Sequence, residues 1–361
     1  MSTPATSNGR KAGRCCASWP GAPSATVNRS REARWSRLEA SPPSPAPAMR
    51  VVLVPFSCLY LLAGLCQAAE PARIGITVGA LDNPFYQALA RGAVQAAHSL
   101  NPAVRVTSLS ANFTLAQQQR QMRELIAQKV DLILLGAVDS HAIAPQVRAA
   151  RAAGITVVAV DVDAPHVDGT VKSDNRQAGE IVCRYLAQRL HGQGRLLIQG
   201  GPPVTSVSER IAGCRAALAT FPGITTINDG ANGLGSSLGG QRAMQRDLQR
   251  FTRIDAVFAT NDRQALGTEK ALDAAGLRQV LIGAVDGSPD IERALKLPGR
   301  IVASASQSPY LIGREAVLLG MRLRRGDGGQ RLVTVPVALV TRANLANYHG
   351  WQSLVPPSGS R

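Results

Sequence analysis

The residues best able to do chemistry in this sequence are carboxylates and amides that directly follow predicted strands. They are Asp82-Asn83, Asp161, Asp163, Asn261-Asp262, Asp286 and Gln307. Because the carboxyl ends of parallel strands meet at one edge of a sheet, we expect these side chains to face a common cleft. Their oxygens accept hydrogen bonds from hydroxyl groups, which suits a polar ligand. Each residue alone also has a structural explanation, since Asn and Asp are favoured at helix N-caps and turns.

A catalytic interpretation rests on one motif. The segment Gly235-Ser236-Ser237-Leu238-Gly239 matches the G-x-S-x-G nucleophile elbow, with Ser237 as the nucleophile of a serine hydrolase. That motif needs a strand directly before it, whereas here it lies in a glycine-rich stretch, and the only histidine after it is His349. The sequence has no His/Cys cluster at metal-ligand spacing and no phosphate-binding loop. We therefore predict a protein that is not an enzyme and that uses no cofactor or metal.

The elements that would position the polar residues alternate between strand and helix. Residues 131–136 and 155–160 are continuous apolar runs, typical of strands buried on both faces of a parallel sheet. The other predicted strands are 73–80, 104–109, 195–199, 224–228, 254–259, 279–285, 300–305 and 332–340. The predicted helices are 84–100, 115–129, 141–153, 176–190, 206–221, 239–251, 262–275, 288–296 and 309–324. This order predicts an α/β fold with doubly wound parallel sheets.

The N-terminal region has a different composition from the rest of the chain. Residues 1–48 are rich in Ser, Pro, Ala and Arg, and we predict that they are disordered and come from a misassigned start codon. Residues 49–68 have the layout of a signal peptide, with Arg50, an apolar stretch over 51–65, and small residues before Ala69. Because the apolar stretch is shorter than the ~20 residues of a spanning helix, a membrane anchor is the weaker alternative.

The net charge of +16 first suggests a nucleic-acid partner. Residues 1–50 carry eight Lys or Arg against two acidic residues, and the remaining basic residues are scattered along the chain. No basic run is interleaved with aromatic residues, so we predict no nucleic-acid binding.

Two cysteines lie in the part of the chain predicted to remain after export. Cys183 and Cys214 form an even pair, which in an exported protein favours a disulfide. Two buried thiols are the alternative, since free cysteine behaves as a small apolar residue.

Several motifs together resemble one family. Asp82-Asn83-Pro84-Phe85-Tyr86 resembles the start of the ribose-binding-protein group of periplasmic sugar-binding proteins. The resemblance continues in family order through 171–175, 208–210, 256–262, 285–287 and 305–307, and covers about 73–350. It implies a type I periplasmic binding protein with two doubly wound parallel-sheet lobes, joined by three hinge crossovers near 173–174, 307–308 and 338–339. The first lobe would comprise 70–173 plus 308–338, the second 174–307 plus 339–350, and the tail 351–361.

The resemblance also implies a function. Such a protein binds a small sugar or polyol between its lobes and delivers it, as a monomer in the periplasm, to the membrane permease of an ABC importer. A protein that presents the ligand to a chemoreceptor or sensor kinase would have the same sequence pattern. The effector domain of a repressor also shares the fold, but it would need a helix-turn-helix before residue 70, where the signal peptide is predicted.

The family's sugar contacts fall on polar and aromatic residues of both implied lobes. They are Asn83, Phe85, Tyr86, Asp161, Arg210, Asn261, Asp286 and Gln307, to which we add Asp163. Val162 stands where the family often has Arg, and the stretch 230–240 is Gly- and Ser-rich where many relatives supply a stacking aromatic residue. These departures leave D-ribose, another pentose, a hexose and a polyol open as ligands.

Overall fold

The computed structural model describes residues 73–227 and 232–351. The segments interpreted as disordered (1–48) and as a signal peptide (49–68) lie outside the described residues. All described residues fall in one structural unit, Leu65–Arg361. Within the described ranges, no helix combines the length and the apolar character needed to cross a membrane.

Twelve strands are present among the described residues. They are β1 Arg73–Val78, β2 Arg105–Ser110, β3 Leu132–Leu135, β4 Thr156–Val160, β5 Gly169–Ser173, β6 Gly194–Gln199, β7 Ile224–Ile227, β8 Ala256–Ala259, β9 Leu281–Asp286, β10 Ile301–Ser306, β11 Leu332–Val335 and β12 Ala338–Thr341. The first sheet has the order β11-β5-β4-β3-β1-β2 with every pair parallel. The second sheet has the order β12-β10-β9-β8-β6-β7, in which β12 runs antiparallel to β10 and the other pairs are parallel.

Helices cover both faces of each sheet. They are α1 Pro84–Leu100, α2 Leu115–Ala127, α3 Ala144–Ala152, α4 Asn175–Arg189, α5 Thr205–Leu218, α6 Ser237–Arg250, α7 Asp262–Ala274, α8 Pro289–Lys296 and α9 Pro309–Arg324. Strand β3 shows why the apolar runs are continuous. Leu132 and Leu134 pack with α1 and α9, whereas Ile133 and Leu135 pack with α2 and α3 on the opposite face. The predicted doubly wound α/β fold is confirmed.

Three connections join the two sheets, and each sheet with its helices forms one lobe. The chain passes from β5 to α4 at Asp174, from β10 to α9 at Gln307-Ser308, and from β11 to β12 at 336–337. The resemblance implies crossovers near 173–174 and 307–308 for the first two. Because few residues carry the chain between the lobes, these connections are where a hinge motion would be absorbed.

The third connection differs from the prediction. The expected single strand 332–340 is two strands, β11 in the first sheet and β12 in the second. Pro336 stands between them, and proline cannot donate the N–H that a continuing ladder requires. Ala338 pairs with Ser306 in the second sheet, so the crossover lies at 336–337 instead of 338–339. Assigning Ala338 to the first lobe was therefore wrong.

Strand β5 was not predicted from the sequence. Its five residues, Gly-Thr-Val-Lys-Ser, carry little apolar signal, yet four of them are buried. The strand forms because it pairs with β4 on one side and with the distant β11 on the other. Such tertiary pairing overrides local propensity.

Helices α4 and α5 pack with their backbones in close approach. A Cβ atom on Gly179 would lie 1.9 Å from the carbonyl oxygen of Arg210, and one on Gly213 would lie 1.9 Å from that of Arg176. The sulfur atoms of Cys183 on α4 and Cys214 on α5 lie at disulfide distance, with their Cα atoms 5.1 Å apart. This helix pair is therefore a rigid support for the side chain of Arg210.

Candidate ligand-binding site

A cavity of about 470 Å³, its open mouth included, lies at the carboxyl ends of the strands of both sheets. Eight of the nine predicted ligand residues line it: Asn83, Phe85, Tyr86, Asp161, Arg210, Asn261, Asp286 and Gln307. The other lining residues are Phe113, Pro202, Val204, Ser206, Val207, Gly235, Thr260 and Gln264. The position agrees with the general rule that open α/β sheets bind ligands beyond the carboxyl ends of their strands.

The first turn of α1 presents two aromatic rings to the cavity. Asn83 is the N-cap of this helix, because its side chain accepts a hydrogen bond from the Phe85 backbone N–H at 3.1 Å, and Pro84 takes the first helical position. The capping explanation of Asn83 thus applies together with its place in the cavity wall. The rings of Phe85 and Tyr86 meet edge to face with centroids 5.4 Å apart. Aromatic faces of this kind suit the C–H surface of a sugar or polyol.

Asp161 brings a buried carboxylate to the cavity from the end of β4. The hydroxyl of Tyr86 donates a hydrogen bond to Oδ2 of Asp161 at 3.2 Å. The other oxygen, Oδ1, is buried and has no hydrogen-bond partner among the described residues. Burial raises the pKa of Asp161 to about 6, and Arg210 opposes the rise. This carboxylate therefore keeps one buried oxygen to which the described residues bring no donor.

Arg210 and Asp286 form the charged centre of the second lobe's side of the cavity. Arg210 donates from Nε to Asn175 Oδ1 at 2.8 Å and from Nη1 to the Thr260 carbonyl at 2.7 Å. Its Nη1 lies 3.5 Å from Asp286 Oδ1, which also accepts from Gln307 Nε2 at 2.7 Å. Burial raises the pKa of Asp286 to about 6 against the opposing effect of Arg210. These bonds hold each polar group in one orientation.

Asn261 lines the cavity but is largely engaged by the protein. Its Oδ1 accepts from the Gln264 backbone N–H at 2.9 Å as the N-cap of α7, and its Nδ2 donates to the Gly235 carbonyl at 3.1 Å. The adjacent Asp262 points away from the lining set and accepts from the Ser288 N–H and the Ser304 hydroxyl, both at 2.7 Å. Asp262 therefore fixes the turn that follows Asp286.

Asp163 is the predicted ligand residue that does not line the cavity. Its Oδ2 lies 2.6 Å from the ammonium nitrogen of Lys172 on β5, and the same ammonium pairs with Glu209 on α5. The Asp163 backbone N–H donates to the Thr205 hydroxyl at 2.7 Å. Asp163 thus belongs to a set of contacts that joins the two lobes beside the cavity, and these contacts indicate a closed cleft.

Two aromatic residues near the cavity were missed by the sequence analysis. Phe113 follows β2, a strand end where we looked only for polar residues, and it lines the cavity with a φ of 52°. Trp351, assigned to the tail, is buried: its ring meets that of Phe85 with centroids 5.7 Å apart, and its Nε1 donates to the Asp286 carbonyl at 2.7 Å. Trp351 therefore contacts both lobes behind the cavity.

The segment that matches the serine-hydrolase motif forms the start of helix α6, and its first serine caps that helix. The Ser236 hydroxyl accepts a hydrogen bond from the Gly239 N–H at 3.1 Å, which caps α6. Ser237 begins this helix and is not among the residues that line the cavity, nor is His349. In the described part of the chain, no group of three or more His, Cys, Asp or Glu residues is arranged to hold a metal ion.

The raised pKa values of Asp161 and Asp286 predict an unusual pH dependence of stability. In the folded state each pKa is about 6, above the ordinary value of 3.8, so the folded chain holds these protons more tightly than the unfolded chain. The free energy of unfolding should therefore fall as the pH rises from 4 to 6. Replacing Asp161 by Asn should remove about 1–3 kcal/mol of this fall. Urea unfolding of the ligand-free wild-type protein and of Asp161→Asn measures the free energy of unfolding across this pH range. If the two proteins show the same dependence on pH, the pKa of Asp161 is not raised.

Trp351 should contribute to ligand affinity although it does not line the cavity. The change Trp351→Phe keeps a ring against Phe85 but removes the hydrogen bond to the Asp286 carbonyl. Because a buried hydrogen bond contributes about 0.5–1.5 kcal/mol net, we expect an affinity about three- to tenfold lower. Calorimetric titration measures the affinity, and a melting curve without ligand checks that the fold is retained. Wild-type affinity in the folded variant would mean that this contact does not support the closed cleft.

Comparison with known proteins gives consistent matches. A family model described as a periplasmic binding protein domain matches residues 74–328, a range that includes every residue lining the cavity. The ribose import binding protein of Bacillus subtilis is 30% identical over 277 residues, which cover 74% of this chain and 87% of that protein.

Two solved structures match both lobes. An ABC transporter solute binding protein from Mycobacterium smegmatis with bound glycerol has a TM-score of 0.72 and 27% identity, over 80% of this chain and 99% of that one. An ABC transporter solute binding protein from Agrobacterium vitis with bound allitol has a TM-score of 0.70 and 25% identity, over 76% and 97%.

Proposed function

Because this chain belongs to the periplasmic binding protein family, in the group that includes the ribose import binding proteins, we propose that it binds a small sugar or polyol and delivers it to an ABC importer. The relatives are binding proteins, named for ribose import or solved with glycerol or allitol. We propose that this chain likewise binds its ligand without catalysing a reaction.

One observation carries the proposal. Polar groups of fixed orientation and aromatic faces converge on one cavity from both lobes: Phe85, Tyr86 and Asp161 from the first, Arg210 and Asp286 from the second. Carboxylates accept from ligand hydroxyls, and a guanidinium donates to hydroxyl or ring oxygens. We propose that these five residues, together with Asn83, Asn261 and Gln307, form the binding site.

The proposed mechanism is hinge closure. We propose that the first lobe comprises 70–173 and 308–335 and the second 174–307 and 338–351, with hinges at the three connections. A ligand that touches both lobes stabilises the closed state, because its contacts are complete only there. The contacts among Asp163, Lys172, Glu209 and Thr205 are those that closure would form.

The proposal includes export to the periplasm. We propose that residues 49–68 are removed as a signal peptide, that the mature protein starts near Ala69, and that it acts as a monomer with a membrane permease as partner. The sequence pattern of a short basic start, an apolar stretch and small residues supports this. N-terminal sequencing of the exported protein tests it, and a residue from before Met49 in the product would contradict it.

A thermal-shift screen tests the proposed function. The chain from Ala69 onward would be heated with pentoses, hexoses, pentitols, hexitols and inositols. A ligand at 100 times its Kd stabilises the folded state by about 2.7 kcal/mol, so we expect the melting temperature to rise by about 5 °C. The matched control is Asp286→Asn, for which the same compound should give a smaller rise. If neither these compounds nor their amino derivatives raise the melting temperature, the proposed function is wrong.

A further inference from the structure

We propose that the preferred ligand carries a protonated primary amine, so that the site selects an amino sugar or an amino polyol over the neutral parent compound. This inference rests on the proposed function and narrows its ligand class. It comes from the charges that the closed cavity encloses and from one carboxylate oxygen that the protein leaves without a partner.

The cavity encloses more negative than positive charge. Among the described residues that line it, the carboxylates are Asp161 and Asp286, and Arg210 is the only cation. Arg210 is committed to the second lobe, where its guanidinium contacts Asn175, Thr260 and Asp286. With both carboxylates ionised, closure on a neutral ligand would bury one uncompensated negative charge, which is costly in a water-poor site.

Asp161 is the carboxylate without a direct ion pair, since Arg210 pairs with Asp286 and acts on Asp161 only from a distance. Its neighbour Val162 is buried in the apolar core and brings no charge. Lys172 lies on β5, next to the strand that Asp161 follows, but its ammonium is paired with Asp163 and Glu209 beside the cavity. Oδ1 of Asp161 is without a hydrogen-bond partner although the residue is only 6% exposed. A ligand group must satisfy this oxygen if it is to stay ionised.

A primary ammonium on the ligand would supply both the missing positive charge and a hydrogen-bond donor to Oδ1 of Asp161. It offers three N–H donors and a full positive charge, and its hydrogen bonds to a carboxylate are about twice as strong as neutral ones. Phe85, Tyr86 and Phe113 also line the cavity, and an aromatic face within about 6 Å of a cation attracts it. A metal ion would need further oxygen or nitrogen ligands, and the described residues contain no such cluster. The remaining hydroxyls of the ligand would bond to Arg210 and Asp286.

Calorimetric titration with matched pairs tests the proposal. The pairs are D-glucosamine with D-glucose, D-galactosamine with D-galactose, and 1-amino-1-deoxy-D-glucitol with D-glucitol, all at pH 7 with the chain from Ala69 onward. We expect the amine of at least one pair to bind at least tenfold more tightly than its partner. In Asp161→Asn this preference should disappear through loss of amine affinity. In Asp290→Asn, whose half-exposed carboxylate pairs with Arg293 on α8 outside the cavity, it should remain.

A second measurement, the pH dependence of ligand affinity, uses the wild-type protein and so does not require any variant to fold. The charged and titratable groups that act on Asp161 are Tyr86, Arg210, Glu209 and Asp286. As the pH falls from 7 to 5, protonation of Asp286 should weaken the binding of amine and neutral compound alike, and protonation of Asp161 should weaken the amine at least fivefold further than its neutral partner. Two results would overturn this inference and leave the proposed function standing. In the first, the neutral member of every pair binds as tightly as the amine. In the second, neutral compounds of the screen bind and none of the amines does. If no sugar, polyol or amine binds, the proposed function fails with it.

Discussion

Replacing Asp286 by Asn is expected to weaken ligand binding by about tenfold to a hundredfold. Hydrogen bonds that involve a charged group contribute about 1.5–3 kcal/mol each, and every 1.4 kcal/mol is a factor of ten in affinity. Asp286 holds its carboxylate against Arg210 and Gln307 at the end of β9, so the loss of charge removes a strong acceptor without removing the side chain. Calorimetric titration with the best compound of the screen measures the effect.

Asn is a better choice than Ala at this position. The φ of Asp286 is 140°, a conformation rare for residues other than glycine, and Asn keeps the shape of the Asp side chain there. The Asn oxygen can still accept from Gln307, so we expect the ligand-free melting temperature to change little. Asp290→Asn is the matched control, since Asp290 is half-exposed, lies four residues away on α8 and pairs with Arg293. Equal affinity of the wild-type protein and Asp286→Asn would remove Asp286 from the binding site.

Reduction of the Cys183–Cys214 disulfide is expected to lower the free energy of unfolding by about 3–4 kcal/mol. The two residues are 31 positions apart, and in the chain-entropy model the effect of a cross-link depends on the length of the loop that it closes. Both side chains are buried between α4 and α5. Guanidinium unfolding of the exported protein, with and without dithiothreitol, measures the difference.

The double variant Cys183→Ala/Cys214→Ala separates the cross-link from the packing of the sulfur atoms. It should unfold at a lower denaturant concentration than the oxidised protein and should not respond to dithiothreitol. Two thiols that react with an alkylating agent in the unreduced, denatured wild-type protein would contradict the disulfide. Since α4 and α5 support Arg210, we also expect reduction to weaken ligand binding, by less than Asp286→Asn does.

The fold could be predicted because its signals are local. Runs such as 132–135 are apolar at every position, since alternate residues pack against helices on opposite faces of the sheet. Asn83-Pro84 marks a helix start by its own chemistry. Strand β5 was missed because it forms by pairing with β11, more than 150 residues away in the chain. The division of 332–340 was missed although Pro336 lies at it, because β12 pairs with β10 of the other sheet. No local pattern encodes such pairing.

The cavity lining was predictable only in part, for a similar reason. The rule that ligands meet strand ends identified Asp161, Asp286 and Gln307, and it would have found Phe113 after β2 had apolar residues been considered. The same rule wrongly placed Asp163 in the lining, because the Lys172 ammonium that takes its carboxylate lies on the unpredicted β5. Trp351 follows every predicted element, so only the folded chain reveals that it packs on Phe85.

The central claim is that one ligand is held between the two lobes by the residues at the strand ends. A crystal structure of the mature protein with the tightest-binding compound of the screen tests this most directly. We predict a single molecule in the cavity, within hydrogen-bond distance of Asp161 on the first lobe and of Arg210 and Asp286 on the second, with a ring or carbon chain against Phe85. A ligand bound elsewhere, or one that touches a single lobe, would contradict the account.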